Sequence, residues 1–401
     1  MAQQILLARQ PILNSNCDTV GYELLYRDPN GCPPGELFDG TAATCEVLLS
    51  AYTGILHKGS MRTLPAFMNV NEELLFQDLP NFAADNMVLE IIEDVPITDK
   101  TAERIKELSA QGFKIALDDF VWKDEYLKII DYVEIIKIDV LELKGNALFN
   151  TLEKLEPYKL TLLAEKVENI FEFHRFRKLG FELFQGYFFA YPEMIKGKRA
   201  SGSELTMMEL LSELSNPDAT PEGLEKIIAK DPRLAVRLLK IVNSASFALQ
   251  RSISNIGEAV IMLGLNELKK WALIVSMSGT LDVPDELCRE LLIRAKMCEE
   301  VSGHYQIEPG QAFLLGILSG ADALFSMPLE EITTYISLSD DVIAALLEHE
   351  GPMGTLLGDV IHFAHYDWGK LSGSVDSMIL NEALHTAINW AIESQKTATS
   401  A

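Results

Sequence analysis

Ile115-Ala116-Leu117-Asp118-Asp119 is a short apolar run that ends in two adjacent carboxylates, and the first half of the chain repeats this pattern. Other apolar runs have a polar side chain at or next to their end: Phe67-Met68-Asn69-Val70, Met87-Val88-Leu89-Glu90 and Leu162-Leu163-Ala164-Glu165. Stretches of helical period, such as 99–111 and 169–178, lie between the runs. Alternating strands and helices predict a parallel sheet. A closed barrel of such units gathers the carboxyl ends of its strands on one face.

The polar side chains at the ends of these runs form a candidate site. The set comprises Glu23, Asn69, Glu90, Glu93, Asp118, Asp119, Lys137, Glu165 and Gln185. A single carboxylate after a strand is usually a loop residue or a helix cap, so only the joint pattern is informative. The adjacent charges of Asp118 and Asp119 repel each other, and a bound cation would relieve that repulsion. A ring of carboxylates with amide side chains and one lysine suits phosphodiester hydrolysis by bound divalent cations.

Lys137 interrupts the apolar run Ile135-Ile136-Lys137-Ile138. A lysine in such a run predicts an inward-facing ammonium that is paired with acidic groups. A purely structural ion pair, with Asp139 or with a neighbouring strand, is the alternative interpretation.

Composition sets limits on the class of protein. The 401 residues are 48% hydrophobic, which is enough for a sizeable core, and the net charge of −25 argues against a general grip on nucleic-acid backbone or anionic membrane. The five cysteines contain no Cys-x-x-Cys pair, which favours reduced thiols. Neither a signal peptide nor an apolar run of the ~18 residues needed for a membrane span is present, so we expect a cytoplasmic protein.

A change of pattern divides the chain. Residues 1–192 carry the strand–helix alternation, and the Gly- and Ser-containing stretch 193–203 suits a linker. From 204 to 401 apolar residues recur at helical spacing, Asp231-Pro232 predicts a helix start, and the polar tail from residue 396 is expected to fray. The sequence therefore predicts a TIM-like (β/α)8 barrel followed by an all-α domain.

The first domain resembles the EAL domains, which hydrolyse cyclic di-GMP. The resemblance rests on short motifs in the family's order: Gly21-Tyr22-Glu23-Leu24-Leu25-Tyr26-Arg27, Phe67-Met68-Asn69-Val70, Leu89-Glu90-Ile91-Ile92-Glu93, Ala116-Leu117-Asp118-Asp119-Phe120, Ile136-Lys137-Ile138-Asp139, Ala164-Glu165-Lys166-Val167-Glu168 and Phe184-Gln185-Gly186-Tyr187-Phe188. It covers about residues 3–192.

The resemblance implies a role for each matching residue. Mg2+ or Mn2+ would be held by Glu23, Asn69, Glu90 and Asp118, with Asp119 helping a second ion. Lys137 would stabilise the attacking water or the developing charge, Glu165 would complete the metal and base network, and Gln185 would position the nucleophile. Arg27 would hold a ligand phosphate, and Glu93 would anchor the loop after Asp119.

Three departures from the family pattern leave two functions open. Phe120-Val121-Trp122-Lys123 replaces the expected Phe-Gly-Thr-Gly, Lys166 replaces a glycine, and Leu24 replaces an alanine and could crowd the site. In the family that loop helps form a dimer and organise the second metal, so a homodimer remains an open expectation. The first hypothesis is a weak phosphodiesterase that yields linear pGpG. The alternative is an inactive cyclic di-GMP receptor or a protein-interaction scaffold.

The second domain resembles the HDOD domains, which are relatives of metal-dependent HD phosphohydrolases. The segments 231–244 and 252–264 carry the resemblance. Where an HD enzyme would have its His-Asp pair, this chain has Ser319 and Gly320, so we expect a non-catalytic domain that binds a protein partner. The whole chain is thus similar to bacterial EAL–HDOD signalling proteins.

Overall fold

The computed structural model divides the chain into two compact units, Met1–Tyr191 and Pro192–Ala401. It describes residues 6–27, 64–77, 87–186, 202–216, 218–244, 253, 255–277, 284–325, 327–336, 338–365 and 367–399. The predicted linker 193–203 lies outside these residues except at its end. There the first helix of the second unit begins at Gly202, so the last two residues of the predicted linker belong to that helix.

The first unit is a closed barrel whose strands follow one another in chain order. The strands are β1 Leu6–Asn14, β2 Thr19–Arg27, β3 Ala66–Val70, β4 Met87–Ile91, β5 Lys114–Leu117, β6 Ile135–Asp139, β7 Thr161–Glu165 and β8 Leu183–Phe184. The described helices are α1 Glu72–Leu75, α2 Asp99–Ala110, α3 Gly145–Leu155 and α4 Ile170–Lys178. The predicted barrel is confirmed.

The sheet is parallel, as predicted, from β2 to β8, and β1 departs from that prediction. β1 runs antiparallel to both β2 and β8, whereas β2 to β8 pair in parallel. The short turn from Ser15 to Asp18 causes this difference, because so short a link can join antiparallel strands but cannot cross over between parallel ones. Asn14 closes the turn by accepting hydrogen bonds from the backbone N–H groups of Asn16 and Asp18.

Helix starts in the barrel follow their capping residues. Thr98 and Asn169 accept hydrogen bonds from the backbone N–H groups of Thr101 and Glu172, at the first turns of α2 and α4. Each cap satisfies a backbone donor that the first turn of a helix leaves without a partner. The two caps fix the first residues of α2 and α4. They therefore fix where the loops that follow β4 and β7 end.

The second unit is helical throughout its described residues. Its helices are α5 Gly202–Ser215, α6 Pro221–Ile228, α7 Pro232–Val242, α8 Ile256–Leu263, α9 Leu265–Met277, α10 Asp285–Val301, α11 Pro309–Leu318, α12 Ala321–Phe325, α13 Leu329–Tyr335, α14 Asp340–Glu348, α15 Gly351–Ala364 and α16 Ser377–Thr399. Asp231 caps α7, which starts at Pro232 as predicted. α10 packs against both α11 and α16 at the centre of the unit. Within the described residues no helix combines the length and apolarity that a bilayer span requires.

Candidate active site

The polar side chains of the site form one layer inside the barrel. Side chains alternate between the two faces of a strand, so a residue two positions from an inward one also points inward. The apolar layer below the site consists of Ile12, Phe67, Val88, Ala116, Ile135 and Leu163, with Val20 and Leu183 packed against it. The next inward positions hold Gln10, Asn69, Glu90, Asp118, Lys137, Glu165 and Gln185, and Glu23 pairs with Gln10 in the strand register. An apolar floor therefore carries a ring of charged and amide groups.

Lys137 stands at the centre of this ring and is fully buried. Its Nζ lies 2.8 Å from Glu90 Oε1, 2.8 Å from Asp118 Oδ1 and 3.0 Å from Glu165 Oε1. A fourth acid, Glu23, places Oε2 at 3.3 Å. The contacts with Glu90 and Asp118 have ion-pair distances without hydrogen-bond alignment. The ammonium thus gathers four carboxylates from four different strands, and the structural pairing with Asp139 considered above is not formed.

Two amide side chains orient Glu23, and a third, that of Gln10, holds one of them. Asn69 Nδ2 donates to Glu23 Oε1 at 3.2 Å, and Gln185 Nε2 donates to Glu23 Oε2 at 2.6 Å. Gln185 Nε2 also donates to Gln10 Oε1 at 2.7 Å. Because Asn69 and Gln185 use their nitrogens on neighbours, their positions are fixed and their oxygens stay available.

The ring contains four carboxylates and one ammonium, and the pKa values of several of these groups are shifted as a result. Burial raises the pKa of Glu90 well above its usual value, and the nearby charge of Glu23 raises it further. Burial also raises the pKa of Glu165 to about 8, although Lys137 opposes the shift. Burial works against the charged form of Lys137, yet the surrounding carboxylates raise its pKa well above the ordinary value. One ammonium cannot neutralise four carboxylates. The raised pKa values of Glu90 and Glu165 favour their protonated forms, which reduces the surplus negative charge.

Several oxygens of the ring remain buried without a hydrogen-bond partner. They are Asn69 Oδ1, both oxygens of Glu90, Asp118 Oδ1, Glu165 Oε2 and Gln185 Oε1. Unsatisfied buried oxygens are costly, and carboxylate and amide oxygens are the ligands that Mg2+ and Mn2+ prefer. In the described part of the chain no group of three or more His, Cys, Asp or Glu residues has the arrangement of a ready metal site. The carboxylates surround the Lys137 ammonium instead. The donor set therefore fits a divalent ion by the chemistry of its oxygens and not by their present arrangement.

A second group of charges lies at the rim of the barrel. Asp119 has a left-handed backbone with φ of 41°, and burial together with the charge of Asp118 raises its pKa. Lys166 also has a left-handed backbone, with φ of 56°, and its Nζ forms an ion pair with Asp139. Glu93 is exposed in the turn after β4, where its charge contributes to the raised pKa of Asp119. Its predicted role as an anchor of the loop stays a prediction.

The loop after Asp119 is held by packing rather than by glycines. Phe120 N donates to Lys137 O at 2.9 Å, and the Phe120 ring centroid lies 5.0 Å from that of Tyr126. The Trp122 ring lies 6.5 Å from Tyr158, between centroids, and the Lys154 ammonium stands 5.3 Å above it. The substituted residues therefore give this loop a defined conformation.

Two further sequence expectations concern β2. Arg27 ends that strand, but its side chain lies outside the described part of the structure, so its phosphate-binding role stays a prediction. Leu24 is buried next to Glu23 in the strand, and alternation directs it to the outer face of the barrel wall. The expectation that Leu24 crowds the site is therefore wrong.

In the helical unit, Ser319 takes part in a structural contact. It follows α11, donates from Oγ to Gly316 O at 2.8 Å and accepts from Arg294 Nη1 at 2.9 Å. The hydroxyl thus ties the end of α11 to α10.

Sequence reasoning missed Gln10 and the ion pair between Asp139 and Lys166. Gln10 is the inward neighbour of Ile12, and a period-2 reading of Gln10-Pro11-Ile12 would have found it once β1 was known to run antiparallel. The ion pair depends on the register between β6 and β7, where Asp139 stands opposite Glu165. No local sequence signal specifies that register.

Comparisons with known proteins agree with this architecture. The family profile of the EAL domain matches residues 57–192, and that of the HDOD domain matches residues 204–327. The "Cyclic di-GMP phosphodiesterase CdgJ" of Vibrio cholerae is 35% identical over 368 residues, which cover 90% of this chain and 85% of the relative. The "Uncharacterized protein YuxH" of Bacillus subtilis is 33% identical over 401 residues, covering 96% and 98%.

A solved structure is also similar to the chain, at a much lower level. The Klebsiella pneumoniae BlrP1 complex with calcium and cy-diGMP has 20% identity and a TM-score of 0.39, and the match covers 48% of this chain and 58% of that one. The family assignment therefore rests on the sequence relatives and the two family profiles.

Proposed function

The chain belongs to the family of bacterial signalling proteins that join an EAL domain to an HDOD domain, and from this premise we propose that its barrel hydrolyses cyclic di-GMP. The reaction opens the ring of the dinucleotide to linear pGpG. The Vibrio cholerae relative bears the name of such a phosphodiesterase, and the chain is similar to it over most of both lengths. A cyclic di-GMP signalling protein is therefore the function that the two domains together support.

The observation that carries the proposal is the polar layer around Lys137. Its carboxylates and amides come from different strands, and none of them contributes to the apolar core below. A layer of this kind is costly to bury, because each acid must be desolvated and repels its neighbours. Such an arrangement is typical of a reaction centre rather than of a barrel that serves only as a scaffold.

We assign the divalent-ion site to Glu23, Asn69, Glu90 and Asp118, and Asp119 would contribute to a second ion if one binds. Their oxygen donors suit Mg2+ or Mn2+. A bound ion supplies a Lewis acid for a phosphate oxygen and lowers the pKa of water.

The other side chains act on the substrate and on its proton. Lys137 lies fully buried among the acids, so its ammonium can stabilise the negative charge that develops at the phosphate. Glu165 lies at the end of β7 with one oxygen 3.0 Å from Lys137 Nζ, and its carboxylate can take up the proton of the attacking water. Gln185 is held by Gln10 and Glu23, which leaves its oxygen free to orient that water. Arg27 would hold a second phosphate through its planar guanidinium.

We assign the helical unit an interaction role. Its Ser319 hydroxyl is engaged by α10, and neither Ser319 nor Gly320 offers the donors of a catalytic His-Asp pair. A protein partner of this unit, self-association of the chain as a dimer, and a cytoplasmic location complete the proposal.

Product analysis tests the proposed reaction. Purified protein is incubated with cyclic di-GMP and Mg2+ or Mn2+, and the nucleotides are separated by chromatography. We expect linear pGpG from the wild type and none from Glu23→Gln, which keeps the size of the side chain but removes its charge. Glu182→Gln is the control, because this exposed acid precedes β8 at the opposite end of the barrel. A wild type that leaves cyclic di-GMP intact in both metals would reject hydrolysis and leave the receptor hypothesis.

Calorimetry tests the ion ligands without relying on turnover. Mn2+ is titrated into the wild type and into Glu90→Ala, since Glu90 has two buried oxygens without hydrogen bonds. We expect the variant to lose at least tenfold in affinity, about 1.4 kcal/mol. Equal binding by both proteins would show that the ion sits elsewhere.

A further inference from the structure

Lys166 occupies a backbone position that favours glycine. It follows Glu165 directly at the carboxyl end of β7, and its φ of 56° is in the left-handed region. A residue with a Cβ is unfavourable there, because the Cβ crowds the following carbonyl. The lysine side chain must therefore gain an interaction that glycine would not provide.

That interaction is an anchored ion pair at the rim of the site. Lys166 Nζ contacts Asp139 Oδ2, and the other oxygen of Asp139 accepts from Leu141 N at 2.7 Å and from Glu142 N at 3.1 Å. Asp139 is only 5% exposed and stands opposite Glu165 in the β6–β7 register. A fixed carboxylate thus holds the ammonium over the ends of two strands.

The position of this ammonium is significant because of the acids around it. Lys166 interacts electrostatically with Asp139, Asp119 and Glu165. The positive charge of Lys166 favours the ionised form of Asp119, whereas burial and the charge of Asp118 disfavour it. A positive charge that Asp139 anchors at this rim makes the potential around Asp119 less negative and repels another cation.

We propose that the Lys166 ammonium takes the place of a second divalent ion beside Asp119, so that each barrel binds one ion. This inference rests on the proposed function, because it concerns the same reaction centre. The loop after Asp119 is consistent with it: Trp122 packs on Tyr158, and the backbone of Phe120 is tied to Lys137. Lys166 then acts as a positioning residue that sets the number of ions.

Counting the bound ions tests the proposal directly. Mn2+ binding to the full chain is measured by calorimetry and by electron paramagnetic resonance in the wild type, Lys166→Gly, Lys166→Arg and Lys159→Gly. Lys159 is the matched control, since it is exposed just before β7 at the opposite end of the same strand. Glycine suits the left-handed backbone, so Lys166→Gly should fold without strain.

We expect one Mn2+ per chain in the wild type, in Lys166→Arg and in Lys159→Gly, and two in Lys166→Gly. The two ions should lie about 3.5 to 4 Å apart and give an exchange-coupled spectrum, whereas a single ion gives an isolated one. A wild type that binds two ions, or a Lys166→Gly variant that still binds one, would overturn the inference and leave the proposed function standing. A wild type that binds none would overturn both.

Discussion

Lys137 compensates several acids at once, and its removal should show how strongly the barrel depends on that charge. In Lys137→Met the carboxylates of Glu23, Glu90, Asp118 and Glu165 would face one another without an ammonium. Removing one partner from a buried ion pair typically costs about 3 to 5 kcal/mol. We expect a loss of that size at pH 8, measured by hydrogen exchange of the peptide that covers β6.

Two conditions should soften the effect of Lys137→Met. Lowering the pH to 5 favours the protonated forms of Glu90 and Glu165, whose pKa values are raised by burial, and adding Mn2+ supplies a replacement cation, so both should recover part of the lost protection. Lys114→Met, at the exposed start of β5, is the control and should change little. If Lys137→Met is as stable as this control at pH 8, the ammonium is not needed to hold the acids together.

Glu165 should make the stability of the ion-free barrel depend on pH. Its pKa in the folded protein is raised to about 8, above the ordinary value of 4.5, so the folded state binds more protons than the unfolded state between those values. Stability is therefore greatest below pH 4.5 for this group and is lost as pH rises toward 8. The linked change from pH 5 to pH 8 is on the order of 3 kcal/mol.

Hydrogen exchange of the β7 peptide at pH 5 and pH 8, corrected for intrinsic exchange rates, measures this dependence. Glu165→Gln imitates the protonated acid and should flatten it, whereas Glu182→Gln should not. The same protonation competes with ion binding, so Mn2+ affinity should weaken as pH falls below 8. A wild type whose corrected protection rises between pH 5 and pH 8 would contradict the assignment.

At the scale of elements, the turn after β8 positions Gln185. Gly186 has φ of 140°, and a Cβ there would lie 2.2 Å from Val167 O and 2.5 Å from Val167 N. The backbone would have to shift, and Gln185 would lose its contacts with Gln10 and Glu23. We expect Gly186→Ala to lower turnover of cyclic di-GMP at least tenfold.

Gly180→Ala is a control that introduces backbone strain without the steric clash expected at Gly186. Gly180 also has a positive φ, of 95°, but a Cβ added there would meet no described atom within 4 Å. Only the conformational cost of about 1 kcal/mol therefore applies. Turnover should stay near the wild-type value in this control. Equal losses in both variants would mean that general destabilisation, and not the displacement of Gln185, limits the reaction.

The same elements show how far sequence alone reaches. The polar residues at the ends of apolar runs predicted that Asn69, Glu90 and Glu165 lie on one face, because the end of a strand is a local signal and a closed barrel gathers those ends. The antiparallel direction of β1 was not predicted, although the short turn 15–18 suits a hairpin. The pairing of Lys166 with Asp139 could not be predicted, since it joins two strands whose register is set by packing of the whole barrel.

The end of the chain gives a similar lesson. The sequence predicts fraying from residue 396, yet α16 continues to Thr399 and Ala398 is fully buried. Arg237 explains the order: its Nη2 donates to Ala398 O at 2.9 Å and its Nη1 donates to Val275 O at 3.3 Å. A charged donor from α7 thus supplies a partner for a carbonyl at the end of the last helix. This contact spans 161 residues of sequence, and composition alone could not indicate it.

At the scale of the whole molecule, the chemistry and the charge are distributed unevenly. The net charge of −25 disfavours an anionic ligand in general, so cyclic di-GMP binding must rely on local cations. Under the proposed function, these cations would be a bound ion together with Lys137 and Lys166, and Arg27 is predicted to add a further charge. Among the described residues of the helical unit, Arg294 is engaged with Ser319, and Lys270 and Lys296 are paired with Glu299.

We therefore expect all metal-dependent turnover to reside in the barrel. A fragment that begins at Gly202 should fold as a helical protein, because its central helices α10, α11 and α16 pack on one another within that fragment. Circular dichroism checks its folding, and product analysis with cyclic di-GMP, other cyclic dinucleotides and nucleotide phosphates in Mg2+ or Mn2+ checks its activity. The full chain and its Glu23→Gln variant serve as positive and negative controls. Turnover by the helical fragment, lost when His304, His349, His362 and His365 are replaced together, would reveal a metal centre there and refute the assignment of an interaction role alone.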